Sequence, residues 1–439
     1  MQGTGVSPAA VQVSWSDTAP DRTGYAVMAS DTPTGGRWGF AGSPDRWPSG
    51  PTTAVVAATQ SVGLVRVQAV PRGQLVSGTL QSSSSVLLLA FLFTQYGIPW
   101  APTYPVQVHR LTYTTFDHRN QSTLANGAVI VPVGPTAGPL VSYQHGTIFR
   151  RTDAPSNPAA ADQAVGVALA TDGYFVVLPD YLGLGTNSPP LHPYLHARSE
   201  AVAAVDLLRA ARTYLSNNLA RQTDGHLFLA GYSQGGHATL ALQRELEERH
   251  AGEFPLTASA AMAGPHDLSG QMRNLMLSGL PYDSPEYVPY LFFGLNTVYG
   301  LAASPADALQ APYATTLPPL FDGTHSAAEI RSAMPAVPTD IFRADFLSAF
   351  ASDSNHPFRV ALAANDTFRW TPTAPLRLYH CAGDTVVPQA NSWIAYSNFV
   401  ARGATQVSFA DPSPASDHSA GALPSFLAAK AWFDTMRGP

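Results

Sequence analysis

Apolar and polar positions follow two rhythms along the chain, and the change comes near position 80. Before it lie four short β-type runs, "VQVSW", "GYAVMA", "TTAVVAA" and "LVRVQAV". In the last, Val65, Val67 and Ala69 share one face while Arg66 and Gln68 share the other. That period of two marks a strand with one wet side, and Gly, Pro and Asp turns separate the runs. The pattern predicts a small β-sandwich over residues 1–80, fibronectin type III-like, with Trp15 as its core aromatic.

From about Pro105 strands alternate with helices. Strand candidates are "VQVHRLTYTT", "ANGAVIVPV", "PLVSYQHG", "YFVVLPDY", "HLFLAGYS", "LTASAAMAG", "LRLYHCAGD" and "TQVSFADP". Between them, residues 196–217 put Val202, Val205, Leu208 and Leu215 on one helical side, and Ala238, Leu242 and Leu246 recur four apart. Such alternation predicts an α/β domain over 81–439, its sheet mostly parallel and covered on both faces. Residues 265–375, rich in aromatics and proline, interrupt the alternation and read as a helical cap insertion. The apolar run 86–93, "VLLLAFLF", is far shorter than the ~20 residues that span a bilayer. It reads as a buried helix behind a serine N-cap.

Composition narrows the classes. The 439 residues allow two domains, and 45% apolar content supports a sizeable core. Only 12% of residues are charged and Lys430 is the sole lysine, a make-up that suits loop-rich, secreted-type proteins. A net charge of −6 with no basic stripe argues against a nucleic-acid partner. Cys381 is the one cysteine, which excludes an intramolecular disulfide and a zinc–cysteine cluster; it reads as a small buried apolar residue. The opening "MQGTGVSPAA" lacks the charged start and apolar core of a signal peptide. Either a mature form has gained a methionine or the protein is not exported; the residues leave both open.

The candidate chemistry sits in "LFLAGYSQGGHATLALQ", residues 227–243. A serine hydroxyl is a poor nucleophile until its oxygen is thrust towards a general base. A strand-to-helix turn does this by holding Ser233 in a strained conformation, where Gly231 and Gly235 avoid clashes and Gly236 lets the helix pack close. In this chain order an acid and then a histidine should follow. Asp384 ends the strand "LRLYHCAGD", with Asp411 and Asp417 as rivals that read better as caps or solvated groups. His418 lies on the loop "DPSPASDHSAGALP", free to reach over the sheet as general base. Of the other histidines, His226, His237 and His380 read as structural. The oxyanion donors are the Gln234 amide and one from "SYQHGT", Thr147 first and Gly146 next, with His145 shaping that loop. Asp180 reads as capping loop amides. Tyr181 is a candidate substrate contact.

"VSYQHGT", "LPDYLGLG", "HPYLHARSEAVAAVDLLRAAR", "AGYSQGG" and "CAGDTVVP", in that order, resemble the secretory lipase family, the lipase A-type α/β-hydrolases of yeasts and bacteria. The resemblance covers 83–439. It implies an α/β-hydrolase fold, a serine triad, a cap over the acyl site, and export to a secreted or periplasmic location. It also implies hydrolysis of lipid or simple carboxylic esters, and no metal or organic cofactor. Carried over by position, the triad falls on Ser233, Asp384 and His418. Tyr287, Tyr290, Leu291, Phe292, Leu295 and Tyr299 are expected to divide between an acyl tunnel and the cap's own core. Tyr290, Phe292 and Leu295 are the substrate contacts chosen from them. The sandwich departs from the family's yeast members and keeps polyester or feruloyl-ester hydrolysis open, with polymer or surface binding by the first domain. A prolyl-oligopeptidase-type exopeptidase and a catalytically dead binding protein are the rival classes. Oligomeric state is not legible.

Overall fold

Strands that are apolar on both faces need helices on both sides. The structure, a computed structural model, describes residues 72–437 apart from 159 and 186–190. Ahead of these it describes only the backbones of Ala10–Ser16, Thr23–Ser30, Trp38–Gly42, Pro51–Ala57 and Leu64–Pro71. These strands pair antiparallel, the first with the fourth, and the second between the third and fifth. The sandwich core, its fibronectin type III-like character and the role of Trp15 rest on side chains outside the described residues.

Nine strands form the main sheet: β1 (Leu75–Ser84), β2 (Val106–Phe116), β3 (Ser122–Pro132), β4 (Ala137–Gln144), β5 (Phe175–Pro179), β6 (Gln222–Tyr232), β7 (Ala258–Met262), β8 (Leu376–Tyr379) and β9 (Val407–Ala410). Their spatial order is β9-β8-β7-β6-β4-β5-β3-β2-β1. From β9 to β5 every pairing is parallel, and the β5–β3, β3–β2 and β2–β1 pairings are antiparallel. β1 is serine-rich and leaves Val76 and Leu80 exposed, so no apolar alternation announced it. It brings residues before position 81 into this sheet.

The main helices are α1 (Val86–Tyr96), α2 (Gln163–Ala170), α3 (Ala197–Leu219), α4 (Gln234–Arg249), α5 (Tyr287–Tyr299), α6 (Ala344–Ser352), α7 (Pro357–Ala364), α8 (Ala390–Ala401) and α9 (Ala422–Asp434). On one sheet face Leu89 and Phe93 of α1, Leu169 of α2 and Phe433 of α9 pack against Ile130, Val141 and Val176. On the other, Leu207, Leu208 and Leu215 of α3 and Leu242 and Leu246 of α4 pack against Val129, Val177 and Leu229. The neighbours Val176 and Val177 therefore enter opposite cores, which is why β5 reads as one unbroken apolar run.

Helix α1 starts as expected, with Ser85 accepting from the Leu88 amide, but it is not buried. Leu87 is 84% exposed and Phe91 62%. A run that is apolar all round has no polar stripe to mark its outer face, so the pattern could not separate half-buried from fully buried. The segment between β7 and β8 folds as a mostly helical cap. Its core joins Phe292, Leu295, Phe321, Phe342 and Phe358 to Phe149 and Tyr194 from loops of the sheet domain. Among the described residues no helix is long and apolar enough to cross a membrane.

Candidate active site

β6 ends at Tyr232 and α4 begins at Gln234, leaving Ser233 alone between them at φ 60°, ψ −123°. A non-glycine residue in such a region costs about 1–3 kcal/mol and persists only where its surroundings enforce it. Backbone contact enforces it here. A Cβ on Gly235 would overlap the Gln144 carbonyl oxygen, one on Gly236 that of Met262, and one on Gly231 that of Gly235. The Ser233 amide donates to the Met262 carbonyl at 2.9 Å, tying the turn to β7.

Two long-range partners converge on this turn. His418, between β9 and α9, places Nε2 2.8 Å from Ser233 Oγ. Its Nδ1 lies 2.6 Å from Asp384 Oδ2. Asp384 sits just past β8, where its Oδ1 accepts the Val386 and Val387 amides at 3.0 and 2.8 Å. Its Oδ2 also accepts from His380 Nε2 at 3.2 Å. Burial would raise the Asp384 carboxyl, but hydrogen bonds from His380, His418 and Val387 and the charge of His418 hold it at about 2. An ionised carboxylate only accepts, so His418 Nδ1 donates and Nε2 is left to accept the Ser233 hydroxyl proton. Tyr232 braces the loop from below, its hydroxyl donating to the His418 carbonyl at 2.6 Å. Asp411 accepts from Ala382 and Ser413 amides and Asp417 from the Ala420 amide, so both cap loops.

Gly146 lies against the nucleophile: a Cβ there would stand 3.5 Å from the Tyr232 carbonyl oxygen and 4.0 Å from Ser233 Cβ. Thr147 follows with its hydroxyl 2.8 Å from the Tyr194 hydroxyl, which fixes its orientation. Asp180 caps Ser156, accepting its amide at 2.8 Å and its hydroxyl at 2.6 Å.

Behind Gln234 lies a buried polar cluster that the residue pattern did not reveal. The Gln234 side chain donates to Glu200 Oε1 at 2.9 Å and to His192 Nε2 at 2.8 Å. His192 donates from Nδ1 to the Leu182 carbonyl, and burial lowers its pKa to about 4. His237 donates to Glu200 at 2.8 Å and to the Asn365 carbonyl at 2.9 Å. Burial opposes charge on His237, but Glu200 and that carbonyl outweigh it and raise its pKa. A charged residue within the otherwise apolar stretch "SEAVAAV" was the available signal.

An apolar cavity opens beside Ser233, lined among others by Tyr194, Leu268, Met272, Tyr287, Val288, Leu291 and Val387. All four of the chosen substrate contacts, Tyr181, Tyr290, Phe292 and Leu295, lie outside its lining. Tyr181 is fully buried, its ring tilted against His145 at 4.3 Å between centroids and its hydroxyl on the His145 carbonyl. Tyr290 stacks between Tyr194 and Phe149, at 4.4 and 4.7 Å. Phe292 meets Phe342 and Phe358 edge-on, and Leu295 is sealed in the cap core. Of the six cap residues named from the sequence, Tyr287 and Leu291 face the cavity, beside Val288 on the same helix, whereas Tyr299 is 41% exposed. His226 pairs with Asp224 at the surface and Cys381 is buried. Among the described residues no group of three or more His, Cys, Asp or Glu side chains is placed to hold a metal ion.

Comparison with known proteins agrees in direction. The family model "Secretory lipase" matches residues 152–282. The rice cell wall degrading esterase LipA of Xanthomonas oryzae is similar, at 28% identity and TM-score 0.75, over 84% of this chain and 100% of that one. A candidate hydrolase of Legionella pneumophila is 30% identical with TM-score 0.76, over 83% and 98% of the two chains. Candida antarctica lipase A, at 18% identity and TM-score 0.61 over 84% of each chain, shares the fold. No curated protein matches.

Proposed function

The chain belongs to the secretory lipase family of carboxylic-ester hydrolases, and from that premise we propose that it is a secreted serine esterase for apolar acyl groups. The observation that carries the reading is the hydrogen-bonded series Ser233 Oγ, His418, Asp384 at 2.8 and 2.6 Å, beside an apolar cavity. Ser233 attacks the ester carbonyl as His418 Nε2 takes its proton. The tetrahedral oxyanion is met by the Gln234 amide, at the positive end of α4, and by the Thr147 amide. Gly146, which lies against Ser233, is the next candidate donor. His418 then returns the proton to the leaving alcohol, and water repeats the cycle on the acyl-enzyme. Asp384 holds the imidazole tautomer and favours its charged form.

The lining of aliphatic and aromatic side chains supports lipid or simple esters. The described lining residues include no carboxylate to hold a free amino terminus, so an exopeptidase reading gains nothing. A second reading, esters carried on a polymer such as a feruloylated wall or a polyester, is favoured by the likeness to the cell wall degrading esterase. Initial rates on p-nitrophenyl esters from acetate to palmitate, beside methyl ferulate, test both. Chain-length preference with no ferulate turnover supports the first; ferulate above all aliphatic esters supports the second; no turnover of any ester sinks both.

A further inference from the structure

His380 lies in the turn of chain between β8 and Asp384, fully buried, where the reaction just described assigns it nothing. Its Nε2 faces two acceptors, the Val387 carbonyl at 2.7 Å and Asp384 Oδ2 at 3.2 Å. Neither can donate, so that nitrogen carries the proton and shares it in a three-centre bond. Its Nδ1 lies 2.8 Å from the hydroxyl of Ser392, buried on α8, which donates to it and fixes the tautomer. The Asp384 carboxylate thus receives four donors: two amides on Oδ1 and two imidazoles on Oδ2.

We propose that His380 is a positioning residue for the acid, its Nε2–H fixing the carboxylate plane against His418 and drawing off part of its charge. The inference rests on the serine-esterase reading above. Each extra donor stabilises the Asp384 charge and weakens its pull on the His418 Nδ1 proton. His418 therefore stays free to accept from Ser233 at a lower pH than an unassisted carboxylate would permit. The other groups facing this cluster are settled. Burial raises Tyr232, Tyr282 and Cys381, which stay protonated, and burial keeps His266, beside His380, neutral. Asp411 and Asp417 act on Cys381 and Tyr232 from the loop after β9.

The test compares the acid limb of kcat/KM in wild type, His380→Met and His380→Gln. The Met variant lacks the donor, and its midpoint should rise by about half a pH unit, with the His418 Nδ1 proton resonance moving downfield. The Gln variant keeps an N–H donor and should restore both towards wild type. Ser392→Ala leaves the ring but frees its tautomer; it should shift the limb the same way by less, and it decides the matter if the Met variant does not fold. Limb and resonance unmoved in both Met and Ala variants, with only lower melting temperature, would make His380 purely structural. A fluorophosphonate probe run alongside separates the failures: no label on wild-type Ser233 refutes the esterase reading, and a labelled Ser233 with unmoved limbs refutes this one alone.

Discussion

The sheet edge and the cap meet at Ser233 by different means. At the edge, position is set by backbone: a Cβ on Gly231, Gly235 or Gly236 would strike a carbonyl, and Ser233 sits strained between β6 and α4. In the cap, position is set by side chains. Tyr290 is clamped between Tyr194 and Phe149 while Tyr287 and Leu291 turn to the cavity. The first arrangement tolerates almost no change and serves the chemistry. The second can be repacked residue by residue and serves the choice of substrate.

The comparison can be broken in four places. Ser233→Ala should lower ester turnover by roughly 10⁴-fold or more with the circular dichroism spectrum unchanged. Turnover near wild type would refute the edge as the chemical centre. Phe292→Ala, in the cap core, should cost about 3–5 kcal/mol in urea unfolding and leave the order of chain-length preference as it was. A reordered preference would place that ring in the cavity after all.

Third is an acid-stability effect at the edge. Asp384 is depressed to about 2 in the folded protein, so its contribution is complete above the ordinary carboxylate value and is lost as pH falls through 2. The gap in unfolding free energy between wild type and Asp384→Asn should shrink by about 2 kcal/mol between pH 4 and 2. A constant gap across that window would mean the carboxylate is not held as described. Smallest, Leu291→Trp should shift the ratio of long- to short-chain ester rates by about 10-fold towards short chains at little cost in stability. An unchanged ratio would remove α5 from the acyl site.

What was legible follows the same division. The glycines around Ser233, an acid after "LRLYHCAG" and a histidine on a polar loop are backbone-driven features, and the structure brings Ser233, Asp384 and His418 within hydrogen-bond reach. The facing of α5 was not legible, because "YVPYLFFGLNTVY" is apolar on most of its circumference and periodicity cannot rank its sides. The exposure of α1 failed for the same reason. β1 was missed because serines replace its apolar alternation. His380 read only as a structural histidine inside an apolar strand, and Glu200 was passed over, because a polar residue in an apolar run tells of burial but not of partner.

The most direct test of the central claim is to inactivate the wild-type enzyme with diethyl p-nitrophenyl phosphate and map the adduct by peptide mass spectrometry. A single diethylphosphoryl group on Ser233, rising in step with lost esterase activity and absent when His418 is replaced by Ala, is the predicted result. Complete inactivation with the adduct on any other residue, or full activity with Ser233 modified, would contradict it.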